Sequence, residues 1–137
     1  MKKIVALLLV VSCAFGAMMS RYASPHPTIE HPRRVIYQFS YGEEKVASKL
    51  LSYIVNLQKG YEPGHIDIAV VCLNDGIFLI KKDSPLKDRV VSLMESGVEF
   101  IACENTMESK KLAVSDMLTG LSYTKTGMQE LIERKLS

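Results

Sequence analysis

The sequence has 137 residues, 47% of them hydrophobic, 7% aromatic and 23% charged, which fits one globular domain and excludes a disordered or all-membrane chain. Its formal net charge of +2 is carried by Lys2 and Lys3, so the rest of the chain is neutral and has no electrostatic footprint for nucleic acid or an anionic membrane. The cysteines have no CxxC partner, which excludes the usual metal-site spacing.

Residues 1–16 have the build of a secretory signal peptide: a positive start at Met1-Lys2-Lys3, an unbroken apolar run at 4–11, and small residues at Ser12, Ala14, Gly16 and Ala17. The run is too short to cross a bilayer as a mature helix. Two cleavage readings compete. Ala14-Phe15-Gly16 offers the spacing a signal peptidase prefers and gives a mature start at Ala17. Val10-Val11-Ser12-Cys13 resembles a bacterial lipobox, in which Cys13 is lipidated and anchors the chain to a membrane. That signal would be unusually short, so soluble export is preferred. In both readings the chain leaves the cytoplasm, as a periplasmic protein does, for an oxidising compartment where thiols tend to pair. Beyond residue 16 the only cysteines are Cys72 and Cys103.

Residues 17–32 read as an extended linker, with prolines at 25, 27 and 32 and no apolar periodicity. His26 and His31 lie in it without a cysteine or carboxylate at ligand spacing, so they read as solvated side chains and not as metal ligands.

The first strand is predicted at 35–39, rich in branched and aromatic residues. Ser40 and Glu43 then stand at capping-box spacing ahead of a helix with Val46, Ala47, Leu50, Leu51, Ile54, Val55 and Leu57 on its apolar face, closed by Gly60. A turn at 61–64 leads to a second, almost wholly apolar strand at 66–73, ended by a turn at Asn74-Asp75-Gly76. Residues 77–80 fit a short helix or a strand equally. Ser84 and Pro85 open a helix whose face is Leu86, Val90, Leu93 and Met94, closed by Gly97. A third buried strand, 98–103, ends at Cys103. Asn105 and Glu108 make another capping box, predicting a helix that runs to about Met117 with a break near Ser115-Asp116. The last strand is expected at 121–125 and the last helix at 127–136, opened by Thr126 and Gln129.

Strand and helix alternate four times, the pattern of an α/β fold with a parallel sheet and helices on both faces. Right-handed crossovers bring every carboxyl end to one edge, where ligands gather near a switch in strand order. Ser40, Asn74 and Cys103 are carried to that edge and form the candidate pocket. Cys103 is followed at once by a helix start, whose free N–H groups favour a thiolate, while Glu104 opposes it. A cysteine closing a core strand also reads as a small buried hydrophobe; position alone leaves both readings open.

The Gly-rich lysine motif of a P-loop and the G-x-G-x-x-G of a dinucleotide fold are absent after the first strand, where Ser40-Tyr41-Gly42-Glu43-Glu44 stands. Three segments instead carry a likeness: residues 76–86 (GIFLIKKDSPL), 97–106 (GVEFIACENT) and 126–132 (TGMQELI). Through them the chain, from about Arg33 to its end, resembles the DsrE/DsrF-like sulfur-relay family, so 33–137 is expected to be its domain. The resemblance implies a DsrEFH-like three-layer α/β/α sandwich, a flavodoxin-like variant with a mainly parallel sheet of four to five strands. It also implies assembly as a trimer or hexamer. In relatives the cysteine closing the third strand is followed closely by a threonine, as Cys103 is by Thr106, and in active members that cysteine accepts sulfane sulfur as a persulfide. Carried over, this makes Cys103 the sulfur acceptor, with a donor or acceptor protein as partner and no cofactor or metal. Backbone N–H groups beyond it would stabilise the anion, with Asn105 or Thr106 as added donors. Two positions depart from the exported single-domain relatives: Leu73-Asn74 stands where histidine and glycine are common, and Glu104 where glycine is.

The competing functions are a binding or assembly module in which Cys103 only packs, and a redox pair of Cys72 with Cys103. If the first strand lay between theirs, the two thiols would start about twice the ~4.8 Å strand spacing apart, beyond the ~7 Å Cα reach of a disulfide. The redox pair is therefore the weakest of the three.

Overall fold

The structure, a computed structural model, describes residues 25–137; the signal peptide, its cleavage sites and Cys13 lie outside the described residues. Its elements are β1 (Arg33–Phe39), α1 (Glu44–Lys59), β2 (Ile66–Cys72), a 3-10 helix (Asn74–Ile80), α2 (Lys87–Glu95), β3 (Glu99–Cys103), α3 (Glu104–Ser109), a 3-10 turn (Val114–Asp116), β4 (Ser122–Thr124) and α4 (Gly127–Leu136). The strands form one sheet, all parallel, in the order β1-β2-β3-β4.

That order corrects one expectation. Each new strand is laid beside the last, so the sheet has no switch in strand order to mark a ligand crevice. Right-handed crossovers that always step the same way put their helices on the same face. That face holds the larger core: Ile68, Val70 and Cys72 of β2 and Phe100 and Ala102 of β3 pack with Leu51 and Ile54 of α1, Val90 and Leu93 of α2 and Met107 of α3. The alternate residues Ala69, Val71, Leu73, Ile101 and Cys103 turn to the other face and form a smaller core with Ile36 and Leu131. The helix there is α4, which runs back from the β4 edge over β3, β2 and β1. The sandwich is three-layered, but its layers are unequal.

α1 forms where Ala47, Leu51 and Ile54 recur on one face, each fully buried. α2 ends where the spacing predicts: Gly97 takes φ 95°, and Val98 N–H reaches the Leu93 carbonyl at 3.0 Å in a Schellman closure.

α3 departs from the sequence reading, stopping at Ser109 instead of running to Met117. Lys111 adopts φ 55°, Lys111 N–H bonds Glu108 O at 3.1 Å and Leu112 N–H bonds Met107 O at 2.8 Å, the same Schellman closure with lysine where glycine is usual. Residues 77–80 belong to the 3-10 helix, which already begins at Asn74.

The capping boxes also fail. α1 starts after Glu43 and α3 after Cys103, in neither case with a side-chain cap. Asn105 Nδ2 bonds Thr126 Oγ1 instead, at 3.2 Å, and the Glu108 carboxylate turns to Lys125 Nζ.

The geometric reason against a Cys72–Cys103 disulfide is corrected as well. β2 and β3 are neighbours, with Cys72 opposite Ala102, so no strand separates the thiols. They are kept apart because they point to opposite faces of the sheet.

Candidate functional site at Cys103

Cys103 is the last residue of β3 and the residue from which α3 starts. Its side chain belongs to the smaller core, with 5% of the residue exposed. Polar hydrogens nevertheless converge on the sulfur. Gly127, the first residue of α4, donates its N–H to Sγ at 3.4 Å, and the start of α3, with the Thr106 hydroxyl and the Thr106 and Asn105 amides, lies close enough to favour the charged form of the sulfur. Burial pushes the Cys103 thiol up, but the polar groups of Thr106, Gly127 and Asn105 together outweigh it and hold the thiol below its ordinary value. Two chain segments supply these donors, the start of α3 and the start of α4. They are pinned together by Asn105 N–H on the Lys125 carbonyl at 3.2 Å and by the Asn105–Thr126 side-chain bond.

Of the predicted site residues, Asn105 and Thr106 stand at the sulfur itself. Asn74 is one bond further out: its N–H donates to Thr106 Oγ1 at 3.0 Å. Its side chain is exposed, and its backbone takes a left-handed φ of 50°. Ser40 follows β1, two strands from β3 in the sheet, and reaches the site only by sharing its edge. Leu73 is buried in the small core beside Cys103. Among the described residues, the ionisable side chain that interacts with the thiol is Lys125.

Three contributors escape a local reading of the sequence: Gly127, Lys125 and Thr126. Gly127 has a steric signature. A Cβ there would lie 3.0 Å from Val71 Cγ1, 3.4 Å from Cys103 Cβ and 3.6 Å from Sγ, so only glycine brings its amide this close. The available signal was glycine at the first position of a helix just after its cap. Lys125 stands at the rim; its bond to Glu108 and the charges of Glu108, Glu104 and the Cys103 thiolate raise its affinity for a proton. Glu104, expected to oppose the thiolate, thus has a cation next to it.

The other thiol is inert by the same physics. Cys72 is fully buried in the larger core and has no compensating donor, so burial pushes its thiol far up. A groove of about 980 Å³ lies along α4, lined among others by Arg34, Ile36, Asp67, Leu131 and Ile132. It contains none of the predicted site residues. Among the described residues, no three His, Cys, Asp or Glu side chains gather as a metal site, and no helix is long and apolar enough to cross a membrane.

The model of the DsrE/DsrF-like family matches residues 33–135. Among solved structures, the chain is similar to MTH1491 of Methanobacterium thermoautotrophicum, a protein of unknown function, with 27% identity and a TM-score of 0.73 over 76% of this chain and 92% of that one. BT1422 of Bacteroides thetaiotaomicron, also of unknown function, shares the fold at 18% identity and a TM-score of 0.57, covering 75% of this chain and 88% of that one. No curated protein matches the sequence.

Proposed function

We propose, from the premise that this chain belongs to the DsrE/DsrF-like family, that it handles sulfane sulfur, carried as a persulfide on Cys103. The observation that carries the proposal is the Gly127 N–H donated to Sγ at 3.4 Å, joined by the Thr106 and Asn105 groups at the start of α3 that lower the thiol. They favour sulfur in its anionic form, which is the nucleophile before transfer and the product after it. The Cys103 thiolate attacks the outer sulfur of a persulfide or polysulfide donor. A bond forms between Sγ and that sulfur as the donor's own S–S bond breaks, and the electron pair leaves with the donor as its thiolate. No external oxidant is needed. Delivery to an acceptor thiolate is the same exchange in reverse.

The proposal includes export, carried by residues 1–16, with a periplasmic location and, in the lipobox reading, an anchor at Cys13. It also includes homo-oligomerisation as a trimer or hexamer. Met128, Ile132 and Leu136 support this, an exposed apolar row at four-residue spacing on α4. Sedimentation of wild type and Ile132→Asp tests it, the wild type being expected to run larger.

Polysulfide treatment followed by intact mass measurement tests the chemistry. Wild type is expected to gain the mass of added sulfur, removable by a reducing thiol, and Cys103→Ser to gain none. A wild-type protein that stays unmodified while Cys103 still alkylates would leave the non-catalytic binding or assembly module as the function of this fold.

A further inference from the structure

Asn74 stands in the left-handed backbone region, with φ 50°, which residues other than glycine seldom enter, though asparagine does so more readily than most. The loop around it is fixed from both sides. Leu73 N–H bonds the Phe39 carbonyl at 3.0 Å, and the Asp75 carboxylate holds Lys110 Nζ at 2.7 Å. Held this way, Asn74 delivers its own N–H to Thr106 Oγ1 at 3.0 Å, across 32 residues of sequence.

The polarity of that bond matters. An amide N–H can only donate, so it occupies a lone pair of the Thr106 hydroxyl and cannot receive the hydroxyl's proton. The hydroxyl has one proton to give, and Cys103, the residue that precedes α3 three positions back, carries the sulfur whose charged form the hydroxyl favours. Asn74 N–H on Thr106 Oγ1 thus leaves the Thr106 O–H free for the sulfur.

We propose that Asn74 is a positioning residue for Cys103, its left-handed backbone supplying the amide that locks the Thr106 hydroxyl with its proton toward Sγ. Asn74 acts on the sulfur without touching it, a different role from the ligand-binding side chain expected of it. The proposal rests on Cys103 being the reactive sulfur. A hydroxyl oriented in advance need not turn as charge builds on the sulfur, which is where preorganised donors gain their effect.

The pH profile of Cys103 alkylation tests the proposal, because a merely structural residue would change stability without moving its midpoint. The charged group whose interaction with Cys103 counts is Lys125, with Glu104 and Glu108 beside it; none is altered in the variants. Thr106→Val is expected to raise the midpoint by about one pH unit, the scale of a lost hydrogen bond to the charged form. Thr106→Ser should hold it. Asn74→Gly, which enters the left-handed region freely, should also hold it. Asn74→Val, which resists that region, should shift it in the direction of Thr106→Val, and the double variant should move no further than Thr106→Val alone. An unshifted midpoint in folded Asn74→Val, or full additivity in the double variant, overturns the proposal.

If Asn74→Val does not fold, hydrogen exchange at the Asn74 amide decides. Slow exchange in wild type and Thr106→Ser with at least tenfold faster exchange in Thr106→Val supports the lock, and equal exchange in all three overturns it. Sulfur loading is read separately by mass. Shifted midpoints without loading would remove the sulfur function and keep the positioning role, whereas loading with unshifted midpoints would do the reverse.

Discussion

Gly127 lends its backbone N–H to Cys103 Sγ at 3.4 Å from 24 residues further along the chain. The contact depends on a missing side chain, because a Cβ at 127 would press on Val71 Cγ1 at 3.0 Å, and Val71 is fully buried and β-branched. Gly127→Ala is therefore expected to cost about 1–3 kcal/mol, the usual range for overpacking. It should also raise the Cys103 midpoint by moving the amide off the sulfur. Urea denaturation and the alkylation profile check the two effects, and a variant unchanged in both would mean that α4 can shift without disturbing the thiol.

The two cysteines should separate cleanly. Cys103 is expected to alkylate in the native protein near neutral pH and Cys72 only in denaturant, with no disulfide between them, as peptide mapping will show. The pH dependence of stability carries the sign. The Cys103 thiol is lower in the folded state than the unfolded value of about 8.5, so its ionisation favours folding. That contribution is absent below the folded value, grows as pH rises through it, and is complete above the unfolded value. Wild type should thus gain stability relative to Cys103→Ser as pH rises through that window. Cys72, raised in the folded state, acts in the opposite sense above the unfolded value, but it is common to both proteins and cancels. A gap that stays constant with pH would contradict the depressed thiol.

Far from the sulfur, Arg134 holds α4 to the sheet. It grips Glu99 at the start of β3 with two bonds of 2.6 and 2.9 Å, and Glu130 with a third of 2.6 Å. The Arg134 hydrogen bonds outweigh desolvation and hold the Glu99 carboxyl below its usual value. The pair's stabilisation is therefore present above the unfolded carboxyl value of about 4.3 and is lost as pH falls through the folded one. Both side chains are about one-third exposed, so screening limits the effect. Glu99→Gln is expected to cost about 1 kcal/mol at pH 7 and progressively less as pH falls through the folded value of Glu99, measured by urea denaturation across that range.

Stop signals show what is legible in a sequence and why. The closure of α2 is visible because glycine occupies the left-handed position at 97. α3 closes by the same hydrogen bonds with Lys111 in that position, and lysine gives no such sign. The capping boxes fail for a related reason. Their spacing allows local bonds, but the Asn105 N–H and side chain and the Glu108 carboxylate find the Lys125 carbonyl, Thr126 hydroxyl and Lys125 amine instead. A partner distant in sequence leaves no mark on local spacing.

By itself the sequence determined the alternation of strands and helices, the family and the placing of Cys103 between a core strand and a helix. All of these depend on side-chain periodicity or on residues adjacent in the chain. Only the tertiary structure decided the strand order, the opposite faces taken by Cys72 and Cys103, and the arrival of Gly127 and Asn74 at the site. The direction of each crossover and the partner of each free backbone amide are set when distant segments compete to bury the same surface.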